Sequence, residues 1–382
     1  MPEALKYLID AAVGAALFFA LMLVFAVDWF TSGPARNSLE NVKVIKDDKQ
    51  RDMKKLKLAV VKTKEEQEFG TNKIKKWDDM GKLLKGLGEG YAYEEVSVDQ
   101  FIRLHEEKKL SAYDVIFLTC NLQDHDDQLK EPIETYVSNG GILYASDWRY
   151  TAVAKAFPHV VAGKSPDGQA QQFEAEIVDP ALREALGTRK MPLKFDLGEW
   201  KAAAFGGPGV DVLIKGTYKP MGGGGPVTSP LMVKFPFNKG AVIFTSFHNE
   251  AQNSRIEERL LQYLVFSLVT AGIDAELSSS LDKGGFAPQG SNLLSTPPKG
   301  KVEKQYDNKQ VCDLRFGLGF RNEGYKLRFN IKSPSGKQFT QDCDGTTILE
   351  VAGAERGTWT YTVEALDAYA NFAFRTTVAE KK

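Results

Sequence analysis

Hydrophobic positions along the chain fall into three regimes. The first is unbroken: from Ala11 to Val27 there is no charged residue, and Tyr7 to Ile9 with Trp29 and Phe30 lengthen the apolar run. At a rise of 1.5 Å per residue the uncharged stretch spans about 26 Å, and with its flanks it reaches the hydrocarbon thickness of a bilayer. A run apolar on every face does not fit a surface helix of a soluble domain. Its bulky exit, Asp28-Trp29-Phe30, does not fit a signal-peptide cleavage site. The pattern predicts an uncleaved single-pass anchor over residues 1–34, with residues 8–30 in contact with lipid and Tyr7 and Trp29 at the interfaces. A solvated, charged stalk over 35–55 is expected to follow.

The second regime, residues 56–275, alternates short continuous apolar runs with helical periods. Leu56 to Val61, Tyr113 to Thr119, Ile142 to Ala145 and Gly240 to Phe247 read as buried strands. Continuous rather than alternating apolarity is the mark of parallel strands covered on both faces. Between them, Ile74, Trp77, Met80, Leu83, Leu84 and Leu87 predict a helix over Lys73 to Leu87. Leu129 to Ser138 predicts another, stopped by Asn139-Gly140-Gly141. Ile256, Leu260, Leu261, Leu264, Val265 and Leu268 mark one face of a helix over Ser254 to Ala271. Strand and helix in alternation predict a doubly wound α/β sheet. From Arg149 to Gly240 the pattern loosens, with β-like pieces at Val210 to Tyr218 and Leu231 to Phe235.

In the third regime the period changes to two. Leu277 to Lys304 is rich in Ser, Gly, Pro and Lys, which predicts a linker over 276–305. Beyond it Lys326 to Ile331 and Thr358 to Val363 alternate cleanly, and Pro334-Ser335-Gly336-Lys337 makes a tight turn. Residues 306–382 are therefore expected to form a small antiparallel β-sandwich.

Composition narrows the function classes. With 43% hydrophobic residues, 23 Phe and 5 Trp, the 382 residues fill sizeable cores. A formal net charge of −1 argues against a nucleic-acid partner, which calls for a basic domain or stripe. Cys120, Cys312 and Cys343 lie far apart in sequence and form no Cys-x-x-Cys pair, so no zinc spacing appears; no metal and no cofactor are expected. A Cys312–Cys343 disulfide would close a loop of about 30 residues, worth up to ~3 kcal/mol in the chain-entropy model. Such a bridge would place the bulk of the chain outside the cytoplasm, periplasmic or at the cell surface; two separate thiols are the alternative.

The order of four pieces carries a resemblance. The strand Asp114 to Thr119, then Tyr136 to Gly141, then Ile142 to Asp147, and finally Gly240 to His248 resemble the class I glutamine amidotransferase-like fold, in particular its trehalose-utilisation-protein branch. The likeness covers about residues 56–273 and implies a flavodoxin-like sheet. In catalytic members a Cys occupies a sharp elbow after the strand that follows the Gly-Gly turn. Here that position falls on Ser146 or Asp147. The family's His-x-Glu is matched by His248-Asn249-Glu250. A nucleophile at Ser146 or Asp147, with His248 as base and Glu250 orienting it, is the implied catalytic set. The loss of the elbow Cys and its glycines points instead to a non-catalytic relative. The carboxyl-terminal module is loosely similar to the β-sandwiches appended to exported proteins.

Three further candidates have simpler roles. Asp124-His125-Asp126-Asp127 could gather a hard metal ion, but acids before a helix more often serve as its cap and first-turn charges. Gly222 to Gly225 lacks the strand-before, helix-after context of a phosphate loop. Trp359, Tyr361, Phe372 and Phe374 alternate as a sandwich core does, or as a sugar-binding face. The expected function is a membrane-anchored binding or scaffold protein with membrane or envelope proteins as partners. An anchored hydrolase or sugar-processing enzyme, or a sensor of a carbohydrate or other small ligand, is the alternative.

Overall fold

The computed structural model describes residues 38–46, 56–62, 67–69, 72–74, 78–87, 91–120, 126–163, 166–196, 198–202, 204–249, 252, 255–296, 299–320, 326–366 and 372–382. The expected anchor over 1–34 lies outside the described residues. Among them no single helix is long and apolar enough to cross a membrane.

The centre is a nine-stranded mixed sheet. In chain order its first strands are β2 (Leu58–Lys62), β5 (Tyr93–Ser97), β6 (Val115–Leu118), β7 (Ile142–Ser146) and β12 (Gly240–Thr245), separated early on by the hairpin β3 (Gln67–Phe69) and β4 (Asn72–Ile74). These five run parallel in the order β5-β2-β6-β7-β12. Leu118 pairs with Ala145 and Thr245 with Ser146, so β6, β7 and β12 end at nearly the same level.

Helices cover both faces of this half, as the unbroken apolar runs require. On one face α1 (Met80–Leu87) and α6 (Arg255–Val269) contribute Met80, Leu84, Leu260 and Leu264 to a core with Val60, Phe117 and Tyr144. On the other, α2 (Val98–Glu106), α3 (Asp126–Ser138) and α4 (Tyr150–Ala156) bring Phe101, Ile133 and Val153 against Ile116, Ala145 and Phe244. Local sequence sets the boundaries. Ser97 and Gln100 form a reciprocal capping box at the start of α2. The helix predicted from Lys73 begins only at Met80, because Asn72–Ile74 is committed to the hairpin.

The loosened stretch after Arg149 is an antiparallel wing that completes the sheet. It holds β8 (Gln171–Ile177), α5 (Pro180–Leu186), β9 (Lys190–Phe195), β10 (Asp211–Tyr218) and β11 (Val227–Phe237), in the order β12-β11-β10-β8-β9. Asp179 caps α5 through the Leu182 amide, Pro180 opens it, and Gly187 at φ +70° closes it.

Two expected boundaries are corrected. The stretch 276–305 is not a linker: it contains the second half of α7 (Ala271–Lys283), β13 (Phe286–Thr296) and β14 (Lys301–Asn308). Nor is 35–55 a free stalk throughout, since β1 (Val42–Lys46) pairs antiparallel with β18 (Thr347–Ala354) and Leu39 is buried in the sandwich core. The remaining strands are β15 (Cys312–Gly319), β16 (Leu327–Lys332), β17 (Gln338–Cys343), β19 (Gly357–Ala365) and β20 (Phe372–Lys381). One sheet runs β1-β18-β15-β20-β13 and the other β14-β19-β16-β17. Their facing sides bury Phe316, Phe329, Leu349 and Trp359. The α/β unit is thus an insertion between the first and second strands of a sandwich.

Helix α7 ties the two units together. Leu277 and Leu281 pack with Phe286, Ile348 and Ala379 on the outer face of the five-stranded sheet. Side chains at Gly317 and Gly319 would collide with Leu277 and Ile273, so these glycines let the helix sit close.

Candidate functional site

The carboxyl ends of β6, β7 and β12 converge on one buried polar cluster. Cys120 stands two residues past β6, Asp147 directly after β7, and His248 three residues past β12. All three side chains are buried. This is where an open α/β sheet collects its functional residues.

The turn after β7 decides between the two sequence candidates. Ser146 is still extended, at φ −133° and ψ 147°. Asp147 then takes φ +45°, a left-handed conformation unusual for a non-glycine residue, and starts a 3-10 turn that leads into α4. A tight strand-to-helix turn of this kind is the geometry of a nucleophile elbow. Asp147 therefore stands at the elbow.

Ser146 is directed elsewhere. Its hydroxyl donates to Asp78 Oδ2 at 2.8 Å and accepts from the Cys120 amide at 3.0 Å. Asp78 also accepts from the Asn249 amide at 3.2 Å and from the Tyr144 hydroxyl at 3.5 Å, while Tyr144 and Thr245 share a 2.8 Å hydrogen bond. These bonds tie the start of α1 to the ends of β7 and β12. The two ring nitrogens of His248 face carboxylates instead: Nε2 is 3.4 Å from Asp147 Oδ2, and Nδ1 is 3.4 Å from Asp196 Oδ1. Ser146 and His248 are thus not aimed at each other as nucleophile and base. Glu250 lies outside the described residues, and Asp196 occupies the orienting position beside Nδ1.

Asp147 has both oxygens engaged. Oδ1 accepts from the Lys201 amide at 2.7 Å, and Oδ2 meets Cys120 Sγ at 3.4 Å as well as His248. Burial raises the Asp147 pKa above the ordinary carboxylate value, against the opposing pull of His248. Burial, with the Asp147 charge beside it, pushes the Cys120 thiol up to about 12. Burial alone would lower the His248 pKa, but Cys120 and the two carboxylates outweigh it and hold the imidazole well above its usual value. Trp200 closes the cluster, its ring centroid 4.4 Å from that of His248. Nearby Arg149, also buried, donates from Nε to the Thr119 carbonyl at 3.1 Å and faces Asp126 at 3.8 Å.

Sequence reasoning missed Cys120, Asp78, Asp196, Tyr144 and Lys201. The signal for Cys120 was its place just beyond a buried parallel strand, next to the strand carrying Ser146. The other candidates resolve into structural roles. Cys312 and Cys343 are free thiols in different sheets, one directed at Asn308 and the other at the Gln341 carbonyl, so the expected disulfide is not formed. Asp126 faces Arg149 and Asp127 pairs with Lys155 at 2.8 Å, while Asp124 and His125 lie outside the described residues. Gly222 to Gly225 form an exposed turn between β10 and β11. Trp359, Tyr361 and Phe374 are buried in the sandwich core, not displayed as a sugar-binding face, and Phe372 opens β20.

No protein family matches the sequence, and no curated protein matches it. Solved structures similar to the chain include a cytoplasmic protein of Salmonella typhimurium LT2, at 14% identity over 56% of this chain and 95% of that one, with a TM-score of 0.35. A glutamine amidotransferase of Thermotoga maritima matches at 14% identity over 58% of this chain and 88% of that one, with a TM-score of 0.34. A periplasmic inhibitor of g-type lysozyme from Aeromonas hydrophila matches at 14% over 26% and 90%, with a TM-score of 0.21. Likenesses of this size carry no argument about activity.

Proposed function

We propose that this chain is a non-catalytic binding or scaffold protein. Its α/β unit is a degenerate amidotransferase-like, doubly wound domain, held to a membrane through residues 8–30 and working as a subunit of a cell-envelope complex. One observation carries the non-catalytic part. The elbow position holds Asp147, whose Oδ1 accepts from the Lys201 amide and whose Oδ2 faces Cys120 and His248, in a cluster buried away from solvent. A nucleophile needs a substrate atom about 3 Å away and a base aimed at it. Here the hydroxyl beside the elbow is tied to Asp78, and the imidazole is turned to carboxylates. The anchor rests on the apolar run from Ala11 to Val27. The extracytoplasmic placement loses the support of a Cys312–Cys343 bridge, and cysteine accessibility in intact cells assigns the side of the membrane.

A second reading, as a small-ligand binder, draws on a cavity of about 310 Å³ between α5, α6, β13 and β14. Arg259, Lys304, Arg375 and Glu184 line it.

The test is a cross-linked pull-down of the full chain in mild detergent, run with amidase and glycosidase assays. The expected result is no turnover and the same stoichiometric membrane partners with wild type and with Asp147→Asn. Turnover abolished by His248→Ala would establish the hydrolase reading. A partner-free monomer would remove the scaffold reading.

A further inference from the structure

The spacing of the sealed cluster is that of a ligand set. We infer that Cys120 Sγ, Asp147 Oδ2 and His248 Nε2 form a buried binding site for a zinc-class divalent cation, which pins the ends of β6, β7 and β12 together.

The distances are those of a ligand set, and the His248–Asp147 separation is long for a hydrogen bond. Sγ and Oδ2 are 3.4 Å apart, Oδ2 and Nε2 are 3.4 Å apart, and all three donor atoms lie within 4.8 Å of one another. Bonds of about 2.0 Å from nitrogen or oxygen and about 2.3 Å from sulfur give tetrahedral edges of roughly 3.3–3.6 Å. A charged His–carboxylate hydrogen bond would instead close to about 2.7–2.9 Å. Neither ring nitrogen of His248 completes a hydrogen bond, although the side chain is buried.

A second observation comes from the far side of the ring. Nδ1 faces Asp196 Oδ1 at 3.4 Å, so a carboxylate stands on the side from which an outer acid orients a metal-binding histidine. The Lys201 amide holds the other Asp147 oxygen at 2.7 Å, which fixes the carboxylate's direction. The donor types suit a borderline cation such as Zn²⁺ better than a hard ion, because sulfur and imidazole accompany a single carboxylate.

The charges balance. Thiolate and carboxylate together neutralise a dication, which answers the desolvation cost of burying the three groups. Binding displaces the Cys120 thiol proton and any proton on Asp147 or Nε2 to solvent, and no oxidant or reductant is involved. Because the donors are sealed, loading belongs to folding, and the ion's role is to hold strand ends in place. The site stands independently of whether the chain has protein partners.

The full chain would be expressed in cobalt-supplemented minimal medium and purified in mild detergent. Expected are one cobalt per chain and a thiolate-to-cobalt charge-transfer band, both lost in Cys120→Ser and kept in a Cys312→Ser/Cys343→Ser double variant. Asp196→Asn should weaken retention against a competing chelator by about 10–100-fold. Far-ultraviolet circular dichroism would verify that each variant is folded, and the isosteric Cys120→Ser is chosen to survive. A metal-free, folded wild-type chain would overturn the proposal, as would a charge-transfer band that persists in Cys120→Ser.

Discussion

His248 Nε2 stands 3.4 Å from Asp147 Oδ2, and neither side chain reaches solvent. The pair joins the end of β12 to the turn after β7, two neighbouring parallel strands whose last paired residues are Thr245 and Ser146. A contact that bridges adjacent strand ends deep inside a domain has more leverage on folding than one at the surface.

Substitution at Asp147 separates the role of its carboxylate from that of its backbone. Removing one partner from a buried charged cluster costs about 3–5 kcal/mol. Asp147→Ala should lose about that much and also keep an alanine at φ +45°. Asp147→Gly loses the same carboxylate but relieves the left-handed strain, about 1 kcal/mol. Asp147→Asn tolerates the backbone and can still accept from the Lys201 amide. The expected order of stability in urea is wild type, Asn, Gly, Ala. An alanine variant more stable than the glycine variant would contradict the strained turn.

Cys343 sets a pH dependence in the sandwich. Burial pushes its thiol from 9.0 up to about 11. With the folded pKa above the unfolded one, the stabilisation is complete below about pH 9 and is lost as pH rises through 11. Two units correspond to at most about 3 kcal/mol. Cys343→Ala should therefore lose less stability between about pH 8.5 and about pH 11.5 than the wild type does, as read from urea melts at each pH. An unchanged alkaline profile in the variant would mean that Cys343 does not titrate as a free thiol.

The parallel half of the fold was legible because each strand is a short, continuous apolar run followed by a helical period. The strands that escaped notice are those whose order comes from partners. β13 runs Phe-Ala-Pro-Gln-Gly-Ser-Asn-Leu-Leu-Ser-Thr, a composition typical of loops, yet it pairs with β20 from Phe286 to Thr296 across a bulge. β1 is five residues set among charges and is ordered by β18. In the wing, Gln171 to Ile177 does alternate, with Phe173, Ala175 and Ile177 packed inward, so that strand left a readable signal. The site was half legible. Ser146 and Asp147 stand out at a strand end and His248 through the resemblance's His-x-Glu, whereas Cys120 is brought to them only by the sheet, 27 residues before Asp147 in sequence.

Gly240 is fixed by close backbone approach. A Cβ there would sit 2.3 Å from both the Gly141 and Val137 carbonyl oxygens, which are backbone atoms with little room to yield. Gly240→Ala should destabilise the α/β unit by about 2–3 kcal/mol, at the upper end of overpacking costs. Gly225→Ala, where a Cβ meets nothing within 4 Å, serves as the control and should fall within about 0.5 kcal/mol of wild type. Equal melting temperatures for the two variants would refute the close approach.

The insertion of the α/β unit into the sandwich makes a prediction about truncation. Leu39 is buried in the sandwich core, and Val42 to Lys46 pair along β18 from Val351 to Thr347. Truncation to Ser38 removes the apolar run but keeps this edge strand. Truncation to Leu56 also removes the strand, exposing the β18 edge and uncovering the site that Leu39 fills. Full burial of one leucine is worth about 1.5–3 kcal/mol, and the lost ladder adds to it. The shorter chain should therefore melt at a lower temperature than the longer one, with the loss confined to the sandwich. An exposed strand edge also invites pairing between chains, so the shorter chain should self-associate more in analytical ultracentrifugation. Identical melting and association in the two truncations would mean that the first strand contributes nothing to the sandwich.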